Sequence, residues 1–284
     1  MGNGRAGEAA GGEGVSGEGA PSASHRGGSG EPMVLIHGIT DTWRTWELVL
    51  PLVEPHHDAL AISLLGHAGG RGLSEPGKAT LAELADEAER DMDAAGMERA
   101  HLVGNSLGGW IVLELASRGR ALSVVALSPA GGWDPGNRWA MVAFWQLMTI
   151  QRSIKWTLPI AEQLAIRPRG RRLVLGGLVS DPEAVPASLA LALVRGAADC
   201  PAAIPLLEET RASGYPDLAE IDCPVRIAWG TKDLLLPHHR LSDRFREILP
   251  GADWVEIPGA GHLPQIDHPK ETADLILEVS SPTA

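Results

Sequence analysis

The stretch His101-Leu102-Val103-Gly104-Asn105-Ser106-Leu107-Gly108-Gly109-Trp110 decides how the rest of the chain is read. An apolar run, Leu102-Val103, enters Gly104-x-Ser106-x-Gly108, and a helix-like run from Trp110 to Ala116 leaves it. The pattern is a strand, a tight turn carrying a serine, and then a helix. A serine held in so sharp a turn sits in a strained backbone conformation. Neighbours two positions to either side must then lack a Cβ, and Gly104 and Gly108 meet that need. The pentapeptide alone is weak, because a chain with 34 glycines produces it by chance. What decides is whether the chain also supplies a base, an acid and a second backbone donor.

Working outward, short apolar runs alternate with amphipathic helical segments. Met33 to Ile36, Ala59 to Leu64, Leu122 to Leu127 and Pro224 to Trp229 read as buried strands. Trp43 to Val53 has helical spacing. Thr80 caps a helix with Leu81, Leu84, Ala85, Ala88 and Met92 on one face. This alternation predicts an α/β fold with a mostly parallel, doubly wound sheet. The expected core covers residues 32–130 and 218–284. Between them, residues 131–217 lose the alternation and read as several short helices separated by prolines, Pro159 among them. Inserted there, they would form a helical cap above the strand C-terminal ends, where such sheets bind ligands. Residues 1–31 are Gly, Ser, Ala and Glu with almost nothing to bury, and are expected to be a disordered tail.

Ser106 needs a general base and a group that orients it. His262, in Pro258-Gly259-Ala260-Gly261-His262-Leu263-Pro264, follows the last strand and is the base candidate. Asp233, in Trp229-Gly230-Thr231-Lys232-Asp233, follows the preceding strand and is the acid candidate, with Asp134 as its competitor. The order Ser, Asp, His fits a serine on a strand-to-helix turn. Two backbone amides would receive a developing oxyanion: Leu107, at the helix N-terminus, and Ile39, in His37-Gly38-Ile39-Thr40. Trp110, Trp133, Trp139 and Trp145 are candidates for a substrate-binding wall, and equally for plain core. No His, Cys and carboxylate cluster has metal-ligand spacing, so neither metal nor cofactor is expected.

The motifs HGIT, GNSLGG, WGTKD and GAGHLPQIDHP together resemble the α/β-hydrolase family over residues 33–281. The resemblance implies the fold, the Ser106-Asp233-His262 triad and hydrolysis. A serine nucleophile beneath a helical cap looks like carboxylesterases and like the carbon–carbon hydrolases that cleave ring-fission products. Haloalkane dehalogenases and epoxide hydrolases of the family place Asp at the turn, so Ser106 argues against both. The expected reaction is acyl transfer from a small, hydrophobic ester-like substrate to water. Carbon–carbon hydrolysis, perhydrolysis, acyl transfer to another acceptor and non-catalytic ligand binding stand as alternatives. Two positions depart from the family pattern. The Gly-rich tail stands where relatives carry a β-hairpin, leaving either a shortened sheet or an edge completed by another chain, and a homo-oligomer stands among the expected partners. Ser63 stands where the family often has Asp, in Ser63-Leu64-Leu65-Gly66-His67-Ala68.

The formal net charge of -12 argues against nucleic acid and anionic membranes as partners. Cys200 and Cys223 make no framework, and no apolar run reaches spanning length, so a cytoplasmic protein is expected.

Overall fold

Alternating short apolar runs and amphipathic helices build a seven-stranded sheet in the computed structural model, which describes residues 23–213 and 215–281. In chain order the core elements are β1 (Ser24–Gly28), β2 (Glu31–Ile36), α1 (Leu50–Val53), β3 (His57–Ile62), α2 (Leu81–Ala94), β4 (Ala100–Asn105), α3 (Leu107–Ser117) and β5 (Ala121–Leu127). Four helices follow: α4 (Arg138–Ala165), α5 (Pro168–Leu175), α6 (Ala187–Ala198) and α7 (Ala203–Ser213). The sheet resumes with β6 (Val225–Gly230), α8 (His238–Leu241), α9 (Asp243–Ile248), β7 (Asp253–Ile257), α10 (Pro264–Asp267) and α11 (Pro269–Ser280). Strand order is β1-β3-β2-β4-β5-β6-β7, with every neighbouring pair parallel except β1 on β3.

Both faces of the sheet are buried, which explains the nearly continuous apolar strands. Val34, Ile36, Leu102 and Val124 point to one face, under α2 and α3. Met33, Leu35, Val103 and Val125 point to the other, under α1 and α11. The start of α2 is fixed reciprocally: Glu83 N–H donates to Thr80 Oγ1 at 3.2 Å, and Thr80 N–H to Glu83 Oε2 at 3.0 Å.

The structure corrects the expectation for residues 1–31. Residues 24–31 are not tail, since β1 and the start of β2 lie there; residues 1–22 fall outside the described residues. An edge strand draws on backbone hydrogen bonds and needs little apolar side chain. Glycine also lets β1 approach closely: a Cβ on Gly28, at φ +83°, would sit 2.2 Å from the His57 carbonyl oxygen. Arg26 pairs with Asp58 at 2.6 Å, and His25 with Glu54 at 2.6 Å. β1 thus fills the edge of β3 with this chain's own residues.

Two helical expectations also change. Trp43 to Val53 splits into a 3-10 turn, Trp43–Trp46, and α1, which starts at Leu50 with Pro51 in its first turn. Pro159 does not separate short helices; it lies inside the 28-residue α4. It occupies an exposed position, where losing one backbone hydrogen bond costs least. The inserted helices share a core of their own: Ala161, Ala165, Leu175, Leu189 and Leu193 pack together and onto Leu263 and Ile266. Among the described residues, no single helix is long and apolar enough to cross a membrane.

Candidate active site

Ser106 joins β4 to α3 with φ 56° and ψ -116°, outside the regions that L-residues favour. Backbone, not side chain, surrounds this turn. A Cβ on Gly104 would lie 2.2 Å from the Gly108 oxygen, and one on Gly108 would lie 2.2 Å from the Ile36 oxygen. The strain is held by bonds on both sides: Ser106 N–H donates to Leu127 O, and Ala130 N–H to Ser106 O, each at 2.9 Å.

Two loops that leave β6 and β7 carry Asp233 and His262. His262 Nδ1 donates to Asp233 Oδ2 at 2.8 Å, and both residues are buried. The other carboxylate oxygen, Oδ1, accepts from the amides of Leu235 at 3.0 Å and Leu236 at 2.7 Å. Three donors thus fix the Asp233 carboxylate and leave it a single orientation toward the imidazole. Gly230 lets the two loops touch, since a Cβ there would be 2.1 Å from the Gly261 oxygen. Asp134, the competing carboxylate, is exposed, and it is Asp233 that holds His262.

The loop after β2 packs against the serine. A Cβ on Gly38 would come within 3.1 Å of Ser106 Cβ, which brings the Gly38–Ile39 backbone beside the turn. His37 locks this loop, with Nδ1–H donating to Gly38 O at 2.7 Å and Nε2 accepting from Leu64 N–H at 2.9 Å. Burial holds His37 well below the usual histidine range, so it stays neutral and keeps that tautomer. Leu107 is the first residue of α3, which places its amide at the positive end of the helix dipole.

Two residues at this site carried no sequence signal. Asn105 donates its side-chain amide to His262 O at 3.0 Å and to Leu127 O at 3.1 Å, tying the serine turn to the histidine loop. Asp41 is buried near His262, and its Oδ1 accepts from Thr42 N–H at 2.7 Å. Burial raises its pKa to about 7. Only the tertiary carbonyl partners reveal the first, and only the surrounding walls reveal the second.

Two cavities meet at Ser106. The larger, about 780 Å³, is bounded by Ser106, His262, Asp41 and Asn105 at its base and by Ile154 and Leu193 above. The smaller, about 300 Å³, is lined by Ser106, Ile39, Leu107, Trp133, Phe144 and Tyr215. Of the four tryptophans expected from sequence, Trp133 alone lines either of these two cavities. Trp110 is core, 2% exposed and packed on Tyr215. Trp139 is covered by the Arg240 guanidinium, 3.7 Å from its ring centre. Trp145 is 55% exposed on the outer side of α4, set edge-on to Phe144. Composition marks an aromatic as apolar but does not say which helix face carries it.

The sequence profile of the alpha/beta hydrolase family matches residues 33–275, and the chain belongs to that family and is a hydrolase. An epoxide hydrolase of Mycobacterium tuberculosis is 36% identical over 202 residues, covering 69% of this chain and 92% of that protein. A 2-hydroxymuconate semialdehyde hydrolase of a Pseudomonas species is 36% identical over 115 residues, 38% of this chain and 39% of that protein. Among solved structures, a thermophilic esterase from Thermogutta terrifontis superposes with a TM-score of 0.67 at 19% identity, covering 90% of this chain and 91% of that one.

Proposed function

We propose that the protein is a serine hydrolase that cleaves an ester-like bond through an acyl-enzyme on Ser106. The observation that carries this reading is the 2.8 Å bond from His262 Nδ1 to Asp233, with His262 and the strained Ser106 on one cavity wall. With Nδ1 committed to Asp233, the imidazole presents Nε2 as the base that takes the Ser106 proton. Ser106 Oγ then attacks the carbonyl carbon, and the amides of Ile39 and Leu107 receive the oxyanion. The same proton passes from Nε2 to the leaving alkoxide. Water enters, gives a proton to Nε2 and attacks the acyl carbon; Nε2 then returns that proton to Ser106 Oγ as the acid is released. Asp233 keeps the tautomer and stabilises the imidazolium in both halves. The helices α4 to α7 act as a cap, and their apolar walls favour a hydrophobic substrate.

A second reading comes from the name of the mycobacterial relative, epoxide hydrolysis. Ser106 opposes a covalent route to it. Opening an epoxide with a serine oxygen leaves an alkyl ether, which has no carbonyl for water to attack. Epoxide opening would therefore need His262 to activate water directly, without Ser106.

The test is labelling with a fluorophosphonate, beside turnover of p-nitrophenyl esters, an aryl epoxide and a ring-fission product. Labelling and ester turnover that both vanish in Ser106→Ala are the expected result. Epoxide turnover that survives Ser106→Ala would move the assignment to the second reading. A folded wild-type protein that takes no label would favour ligand binding without catalysis.

A further inference from the structure

We infer that the outer face of α4 and α5 docks on an anionic lipid surface and opens the larger cavity toward it. Helix α4 buries Phe144, Met148, Ile154 and Ala161, yet its opposite side is apolar as well. Val142, Trp145, Trp156 and Ile160 recur at helical spacing along that outer side and are exposed, Trp156 by 87%. The hydroxyls between them are turned inward. Thr149, Ser153 and Thr157 each donate to the carbonyl four residues back, at 2.7, 2.9 and 3.2 Å, so they satisfy themselves without presenting donors to water.

The surface continues into the site. Ile150, Ile160, Leu173 and Leu234 are each at least half exposed and also line the cavity that holds Ser106 and His262. An apolar tail could pass from the outside to the serine without leaving apolar walls.

Charge selects the occupant. Residues 138–175 contain seven Lys and Arg against one carboxylate, Glu162, in a chain of formal net charge -12. Arg152, Lys155, Arg167 and Arg169 are exposed and form no ion pair among the described residues. Exposed tryptophans flanked by unpaired cations suit the boundary between lipid headgroups and chains. A second copy on the same face would set cation against cation across a two-fold interface. The whole-chain charge, which argues against membranes, conceals this local reversal.

Vesicle binding does not require Ser106 chemistry, so it is read separately from the proposed reaction. The experiment is co-sedimentation of the full chain with phosphatidylglycerol vesicles and with phosphatidylcholine vesicles, beside hydrolysis of p-nitrophenyl butyrate in solution. Binding is expected on phosphatidylglycerol, weakened by 0.5 M salt and by phosphatidylcholine. Each cation near such a surface is worth roughly fivefold, so Arg152→Glu with Lys155→Glu should weaken binding by tenfold or more. Trp156→Ser should weaken it too and reduce the blue shift of fluorescence on vesicles, leaving the share of Trp145. None of these positions lines either cavity at Ser106, so butyrate turnover should stay at the wild-type level. Wild-type protein left in the supernatant with phosphatidylglycerol, or variants that bind as well as wild type, would overturn the proposal. So would a dimer in solution that dissociates on Trp156→Ser.

Discussion

Asn105 donates to the backbone carbonyl of His262 at 3.0 Å, joining two residues 157 positions apart in the chain. Its second hydrogen, bonded to Leu127 O at 3.1 Å, fixes the direction of the first. The residue next to the serine therefore sets the height of the histidine loop. Asn105→Ala leaves the buried His262 carbonyl without that donor, at about 1–3 kcal/mol, while Leu127 O keeps the Ser106 amide. It also frees the loop to shift, and a displacement of the order of 1 Å costs up to about 100-fold in rate. Steady-state kinetics on an ester should show kcat falling with KM little changed. A wild-type kcat in the folded variant would remove the positioning role.

Asp233 offers a sharper test because its replacement by Asn is nearly isosteric. An Asn oxygen can still accept from the Leu235 and Leu236 amides, so the loop should hold. The nitrogen then faces His262 Nδ1 as a donor, which turns that nitrogen into an acceptor and puts the ring proton on Nε2. In that tautomer the imidazole cannot take the Ser106 proton. For Asp233→Asn, kcat should fall roughly 10⁴-fold with an unchanged melting temperature. A loss of tenfold or less would point to a different acid.

These parts differed in how visible they were before folding. Ser106, Asp233 and His262 each follow an apolar strand run, and a parallel sheet brings all such loops to one edge. Local sequence therefore carried their meeting. Asn105 and Asp41 have no such marker, because their roles depend on a carbonyl and on walls supplied from distant segments. The strand at Ser24–Gly28 was hidden for a different reason: its residues pair through backbone and two polar anchors, with no apolar alternation to read. The length of α4 was masked by Pro159, whose effect depends on the face it occupies.

The serine turn should be intolerant of one methyl group. In Gly108→Ala the new Cβ would meet backbone oxygens of Ile36 and His37 at 2.2 and 2.6 Å, and backbone cannot rotate away. A loss of at least about 3 kcal/mol is expected, seen as a lower melting temperature or insoluble protein. Gly251→Ala is the control, because nothing lies within 4 Å of its added Cβ. Its effect should stay within about 0.5 kcal/mol. Equal melting temperatures for the two variants would mean that the turn is looser than its contacts indicate.

Asp41 links the site to pH through stability. Its ordinary carboxyl value is 3.8, and burial raises it to about 7 in the folded chain. Below pH 3.8 both states carry the proton and the group contributes no penalty. Between pH 3.8 and about 7 the unfolded chain releases its proton while the folded chain keeps it, so stability falls as pH rises. Above that range the folded state carries a buried carboxylate, at a cost on the order of 4 kcal/mol or less. Asp41→Asn keeps an oxygen for the Thr42 amide and cannot ionise. The variant should melt near wild type at pH 4 and several degrees above it at pH 8, with the gap opening between those values. Thermal melts of both proteins at half-unit pH intervals measure this directly. A gap that is constant with pH would mean that Asp41 is already ionised when folded, and that His262 faces a second negative charge in its cavity.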